Sequence, residues 1–238
     1  AVTGRLSGND PNKAARDRYF LTLVSREKGD LLNDMRTTHK EKNRLSEAAR
    51  DKHGELVAIE AGTVRWRQRL PARSVTAPLV AGERVFVYSS DRSVHAYDAL
   101  SGDRIWTQKR QGDPLTLTQP GVLLAVRDTL VVGQGPRLAG LDPLRGNLRW
   151  EVPIATPRGT NEVERLADLV GPAARVGDQV CARAFQSAVG CVNTDRGNLA
   201  WAKNSSGATG VAADDGMLYT SDSTRKLVAY RRASGGVG

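Results

Sequence analysis

The chain has 238 residues, 39% hydrophobic and 5% aromatic, with 35 Lys or Arg against 26 Asp or Glu and a net charge of +9. That length suits one large domain or two modest ones, with a core of Val, Leu and Ala that needs neither metal nor disulfide staples. No apolar run approaches the ~20 residues of a membrane helix. The scattered basic residues lack the aromatic interleaving of an RNA-binding surface, so no nucleic-acid partner is expected.

Residues 1–53 hold 12 Lys or Arg, 8 Asp or Glu and no Trp. Asp10 before Pro11 has the form of a capped helix start, and "EKNRLSEAARDKH" is polar and helix-prone. This segment reads as a helical or disordered extension, and its abrupt change of character near Gly54 suggests that it is foreign to the rest of the chain. The chain begins at Ala1 with no signal segment, so it is expected to be a processed chain or a fragment.

From Gly54 onward the sequence repeats. The four tryptophans, Trp66, Trp106, Trp150 and Trp201, are each preceded at minus four by a glycine: Gly62, Gly102, Gly146 and Gly197. In the last three copies an Asp or Asn stands four residues before the glycine (Asp98, Asp142, Asn193). Two residues earlier comes a small side chain (Ala96, Gly140, Cys191). The copies read "AYDALSGDRIW", "GLDPLRGNLRW" and "CVNTDRGNLAW", with a shorter "AIEAGTVRW" before them and an unfinished "AYRRASGGVG" after.

Such a unit is a β-hairpin. Asp or Asn bonds the turn backbone ahead of it, and glycine closes the turn in the left-handed region. Fixed register then points each Trp to the same face, where it serves as a wedge between sheets. Strand-like runs precede each hairpin, such as "RVFVYSS", "TLVVGQG", "QVCARAF" and "MLYTSDS", with "APLVAG" and "GPAARVG" further upstream. A period of about 40–50 residues with four short strands is a β-propeller blade. The expected fold is all-β: about four blades over 54–238, part of a larger, eight-bladed ring because the pattern still runs at Gly235.

Catalytic signatures are missing. The histidines at 39, 53 and 95 lack metal-ligand spacing, and His95 reads as a partly exposed strand residue. "GQGPRLAG" lies between strands and lacks the helix a phosphate loop needs. No catalytic residue, metal or cofactor is expected. Cys181 and Cys191 flank a hairpin centred near Gln186. They are either a cross-strand disulfide or two small buried thiols.

Residues 54–238 resemble the BamB family, the propeller lipoproteins of the outer-membrane β-barrel assembly machinery. The Trp repeat is shared with quinoprotein dehydrogenases, but two stretches between repeats carry the family likeness: "DPLTLTQPG" (113–121) and "GTNEVERLADLVGP" (159–172). The resemblance implies a non-catalytic scaffold at the periplasmic face of the outer membrane, with a lipid anchor absent from this chain. Its implied partners are BamA and unfolded outer-membrane proteins. It places partner contacts at Leu115, Leu117, Glu162, Arg165, Leu166 and Asp168. Thr118 and Val170 depart from an Arg and a second Asp, leaving an apolar contact through the leucines. From the residues alone, Leu115 and Leu117 are also compatible with an ordinary strand edge. Glu162, Arg165 and Asp168, spaced by three, would share one face of a short helix. The alternatives are a fragment of a PQQ-dependent dehydrogenase, which lacks here the adjacent cysteines and clustered acids of that class, and a generic propeller interaction module.

Overall fold

A computed structural model of the chain describes residues 54–110, 117, 119–157 and 166–237. The expectations for residues 1–53, Leu115, Thr118, Glu162 and Arg165 lie outside these residues. The described part is all β, with 17 strands in five antiparallel sheets. The first sheet pairs β1 (Glu55–Glu60) with β2 (Thr63–Arg69). The second runs β3 (Leu79–Ala81), β4 (Arg84–Tyr88), β5 (Ser93–Asp98), β6 (Arg104–Lys109) in spatial order. The third is β7 (Leu123–Val126), β8 (Thr129–Gln134), β9 (Arg137–Leu141), β10 (Leu148–Pro153). The fourth is β11 (Leu169–Val176), β12 (Gln179–Ala184), β13 (Ala188–Asn193), β14 (Asn198–Asn204). The fifth has β15 (Ala212–Ala213), β16 (Met217–Ser221) and β17 (Leu227–Arg231). Each sheet is a meander, so these are the blades of a propeller.

The apolar clusters lie between consecutive sheets. Phe86, Val94 and Ala96 of the second sheet pack with Leu130, Val132 and Leu141 of the third. Val131 and Leu138 of the third pack with Val180 and Ala182 of the fourth. The middle strands are therefore covered on both faces, and β8 is buried at every residue. This corrects the reading of His95 as partly exposed. It is 1% exposed, because β5 is a middle strand and the neighbouring sheets leave neither of its faces to solvent.

The Trp hairpins follow one plan. Each Trp pairs with the small residue of the motif: Trp66 with Ala58, Trp106 with Ala96, Trp150 with Gly140 and Trp201 with Cys191. A register shift beside each pair leaves one residue bulged, which turns the ring off the strand. The turns close as expected. Asp98 Oδ1 accepts from the backbone N–H groups of Leu100 and Ser101, Asp142 Oδ1 from those of Leu144 and Arg145, and Asn193 Oδ1 from that of Arg196.

The turn glycine has a second reason to be glycine. Gly146 has φ +74°, and a Cβ there would come within 2.6 Å of the Trp106 ring from the preceding sheet. Gly102 stands in the same relation to Trp66, Gly197 to Trp150 and Gly235 to Trp201. The indole N–H groups of Trp66, Trp106 and Trp201 complete the joint by donating to the carbonyls of Ala99, Pro143 and Arg232 in the next hairpin. Each Trp thus plugs into the hairpin that follows it.

Cys181 and Cys191 face each other across β12 and β13, with Cα atoms 4.0 Å apart, and are joined as a disulfide within the cluster that contains Trp201.

Candidate functional site

The meander sorts the loops into two ends. One carries the Trp hairpins (98–104, 142–148, 193–198). The other carries the turns at 89–92, 135–136 and 185–187 and the connections between sheets at 110–122 and 154–168. The two segments singled out by family resemblance therefore emerge at the same end, opposite the tryptophan hairpins.

Asp168 joins them. Its Oδ2 accepts from the backbone N–H of Leu117 at 3.1 Å, and its Oδ1 pairs with the Arg92 guanidinium at 3.3 Å. Arg92 comes from the β4–β5 turn, where it has φ +64°. One carboxylate thus gathers a turn of the second sheet, the connection leaving that sheet and the connection entering the fourth. The side chains of Arg92 and Asp168 are 11% and 16% exposed, so this pair is screened far less than a surface ion pair. Gly135 makes room for it: a Cβ there would meet an Arg92 nitrogen at 3.0 Å. Tyr88 lies at the same place, and burial pushes its phenol up to about 12 against the opposing effect of Arg92. Close by, Glu151 receives both Arg110 and Arg137. Burial, then the like charges of Arg137 and Arg92, lower the Arg110 pKa.

Of the predicted contact residues, Leu117 is half-buried and belongs to no strand. Leu166 lines a cleft of about 590 Å³ with Ile154, Pro157, Phe185 and Asn204. The expected helix is not met at its described end. Leu166, Ala167 and Asp168 lie outside any helix, and the Asp168 carbonyl accepts from Phe185 N–H as β11 begins to pair with β12. Val170 is 1% exposed inside β11, so the position at which the family resemblance implies a second Asp is core here. Sequence reasoning missed Arg92, Tyr88, Arg110, Arg137 and Glu151, which come from five different strands, turns or connections and share no motif. Among the described residues no three His, Cys, Asp or Glu gather as a metal site.

Meander sheets locked in series by tryptophan hairpins define a propeller of PQQ-like repeats. Within that class the chain belongs to the outer membrane protein assembly factor BamB family, whose model matches residues 38–237. It is 32% identical over 185 residues to the outer membrane protein assembly factor BamB of Bordetella pertussis, covering 76% of this chain and 48% of that protein. The Burkholderia pseudomallei protein of the same name is 31% identical over 186 residues, covering 77% and 49%. The chain thus spans about half the length of the curated relatives it matches. Among solved structures, BamB from Moraxella catarrhalis superposes with a TM-score of 0.73 at 21% identity, over 78% of this chain and 57% of that one. A europium-containing methanol dehydrogenase reaches 0.56 at 15% identity over 74% and 44%, a likeness of fold alone.

Proposed function

We propose that the chain is a non-catalytic docking scaffold of outer-membrane protein assembly, working at the periplasmic face of the outer membrane. Its connection end binds BamA through segments 113–121 and 159–168. Exposed outer strands such as β14 add pairing edges for unfolded outer-membrane proteins. One observation carries this reading: Asp168 holds Leu117 by its backbone, so the two segments meet at these described residues. Asp168 has both oxygens engaged within the chain, so it shapes the contact while the leucines make it. The dehydrogenase alternative finds no support in the two cysteines, which are ten residues apart and bonded to each other.

The test is co-purification of the full chain with the periplasmic region of BamA. Replacing Leu115 and Leu117 together by Asp is expected to abolish capture while the circular dichroism of the blades stays unchanged. Capture at the wild-type level would refute the assignment.

A further inference from the structure

The two ends of the described blades differ in chemistry. At the connection end six cationic side chains are exposed: Arg69, Arg73, Lys109, Lys203, Arg225 and Lys226. No described acid at that end is exposed. The acids present there are partly buried and engaged: Glu55 on Arg67, Asp91 on Ser93, Glu151 on Arg110 and Arg137, Asp168 in its clasp, and Asp222 on Thr224 and the Lys226 backbone. At the hairpin end the exposed charges alternate in sign, with Glu60, Asp103, Asp128 and Asp195 interspersed among Arg65, Arg104 and Arg127.

We propose that the connection end is a cationic docking face for an acidic protein surface. The inference rests on the docking reading above and adds the chemistry of the partner. Among the described residues the exposed charges of this end, spread over four sheets, are all cationic, and a field of that sign steers and selects an anionic partner. Glu151 lies there between two guanidiniums, Arg110 and Arg137, an internal instance of carboxylate recognition at this end. The exposed apolar side chains argue against a lipid surface. Leu100, Leu144, Ile105, Leu148 and Leu199 all lie at or beside the hairpins, and Leu227 alone among the large exposed apolar residues lies at the cationic end. A lipid-facing end would need apolar side chains to insert beside its cations. Among the described residues all but Leu227 of the large exposed apolar side chains lie away from the cationic end.

The test uses the full chain and three probes: the periplasmic region of BamA, poly-L-glutamate, and vesicles of phosphatidylethanolamine with phosphatidylglycerol. Lys109, Lys203 and Lys226 are replaced together by Glu. A control replaces Arg104, Arg145 and Arg196 at the hairpin end. The expected result is a loss of about tenfold or more in BamA and polyglutamate binding for the first variant only, with wild-type affinity falling steeply with salt. Equal binding by the two variants, or a loss confined to the vesicles, would overturn the proposal. If the wild type ignores BamA yet binds polyglutamate through these lysines, the BamA reading fails and the acidic-partner inference stands. If the wild type binds neither BamA nor polyglutamate, both fail.

Discussion

Gly146→Ala tests the joint between sheets most directly. Two costs fall on this substitution. The backbone at φ +74° costs an L-residue about 1–2 kcal/mol. The new methyl also enters the Trp106 ring at 2.6 Å and must displace it from its hydrogen bond to Pro143, an overpacking cost of about 1–3 kcal/mol. Gly177→Ala supplies the control, since Gly177 has φ +58° and nothing within 4 Å of its would-be Cβ. The backbone cost is common to both, so the difference isolates the tryptophan joint. For a chain of this size an extra ~2 kcal/mol lowers the midpoint by roughly 4–8 °C. Thermal melts of both variants, followed by far-UV circular dichroism, measure it. Gly146→Ala melting no lower than Gly177→Ala would refute the argument that the neighbouring tryptophan selects this glycine.

Particular contacts carry the other predictions. Asp168→Ala is expected to release the Leu117 amide and accelerate its hydrogen exchange by tenfold or more, whereas Asp168→Asn, which still accepts that bond, retains most of the protection; equal exchange in the two would remove the clasp. Arg183, fully buried and held by Thr220, Ser205 and the Ser221 carbonyl across two sheets, should cost about 3–5 kcal/mol in urea unfolding when cut to Ala, through the cavity and the stranded acceptors. A thiol assay in denaturant without reductant should find no free thiol, and reduction should lower stability by about 2–3 kcal/mol for a loop of this length. Burial lowers the His95 pKa, so the folded state resists protonation more than the unfolded chain does. Stability is therefore complete above the unfolded value of about 6.5 and falls as pH drops below it, a slope that His95→Gln should erase. The carboxylates Asp98 and Asp142, held below their usual range by turn N–H groups, add a separate loss as pH falls below about 4.

The repeat was legible because its causes are local. A turn needs its Asp and Gly at fixed offsets, and a ring lying over the opposite strand needs a small partner, so Asp98, Gly102, Ala96 and Trp106 could be read together. The neighbour's share in choosing each glycine was not legible, because Trp106 and Gly146 belong to different repeats. The same limit explains His95: alternation along a strand says which face a side chain takes, and a second sheet on the outer face makes that information irrelevant to exposure. At the connection end the sequence singled out Asp168 and Leu117 by likeness to a family. Their meeting, and Arg92 between them, depend on blade geometry that no spacing encodes. The disulfide was half legible, since a hairpin centred near Gln186 set Cys181 opposite Cys191 and left open whether they bond.

The plugging of each tryptophan into the following hairpin has a spectroscopic consequence. The emission of each indole reports the blade after its own. If the last sheet frays, Trp201 is the first to sense it, although Trp201 stands on an intact strand of the sheet before. Trp150 should stand apart spectrally: its buried N–H has no hydrogen-bond partner among the described residues, whereas those of Trp66, Trp106 and Trp201 do. Four single-tryptophan variants would then read out, joint by joint, the order in which the blades come apart.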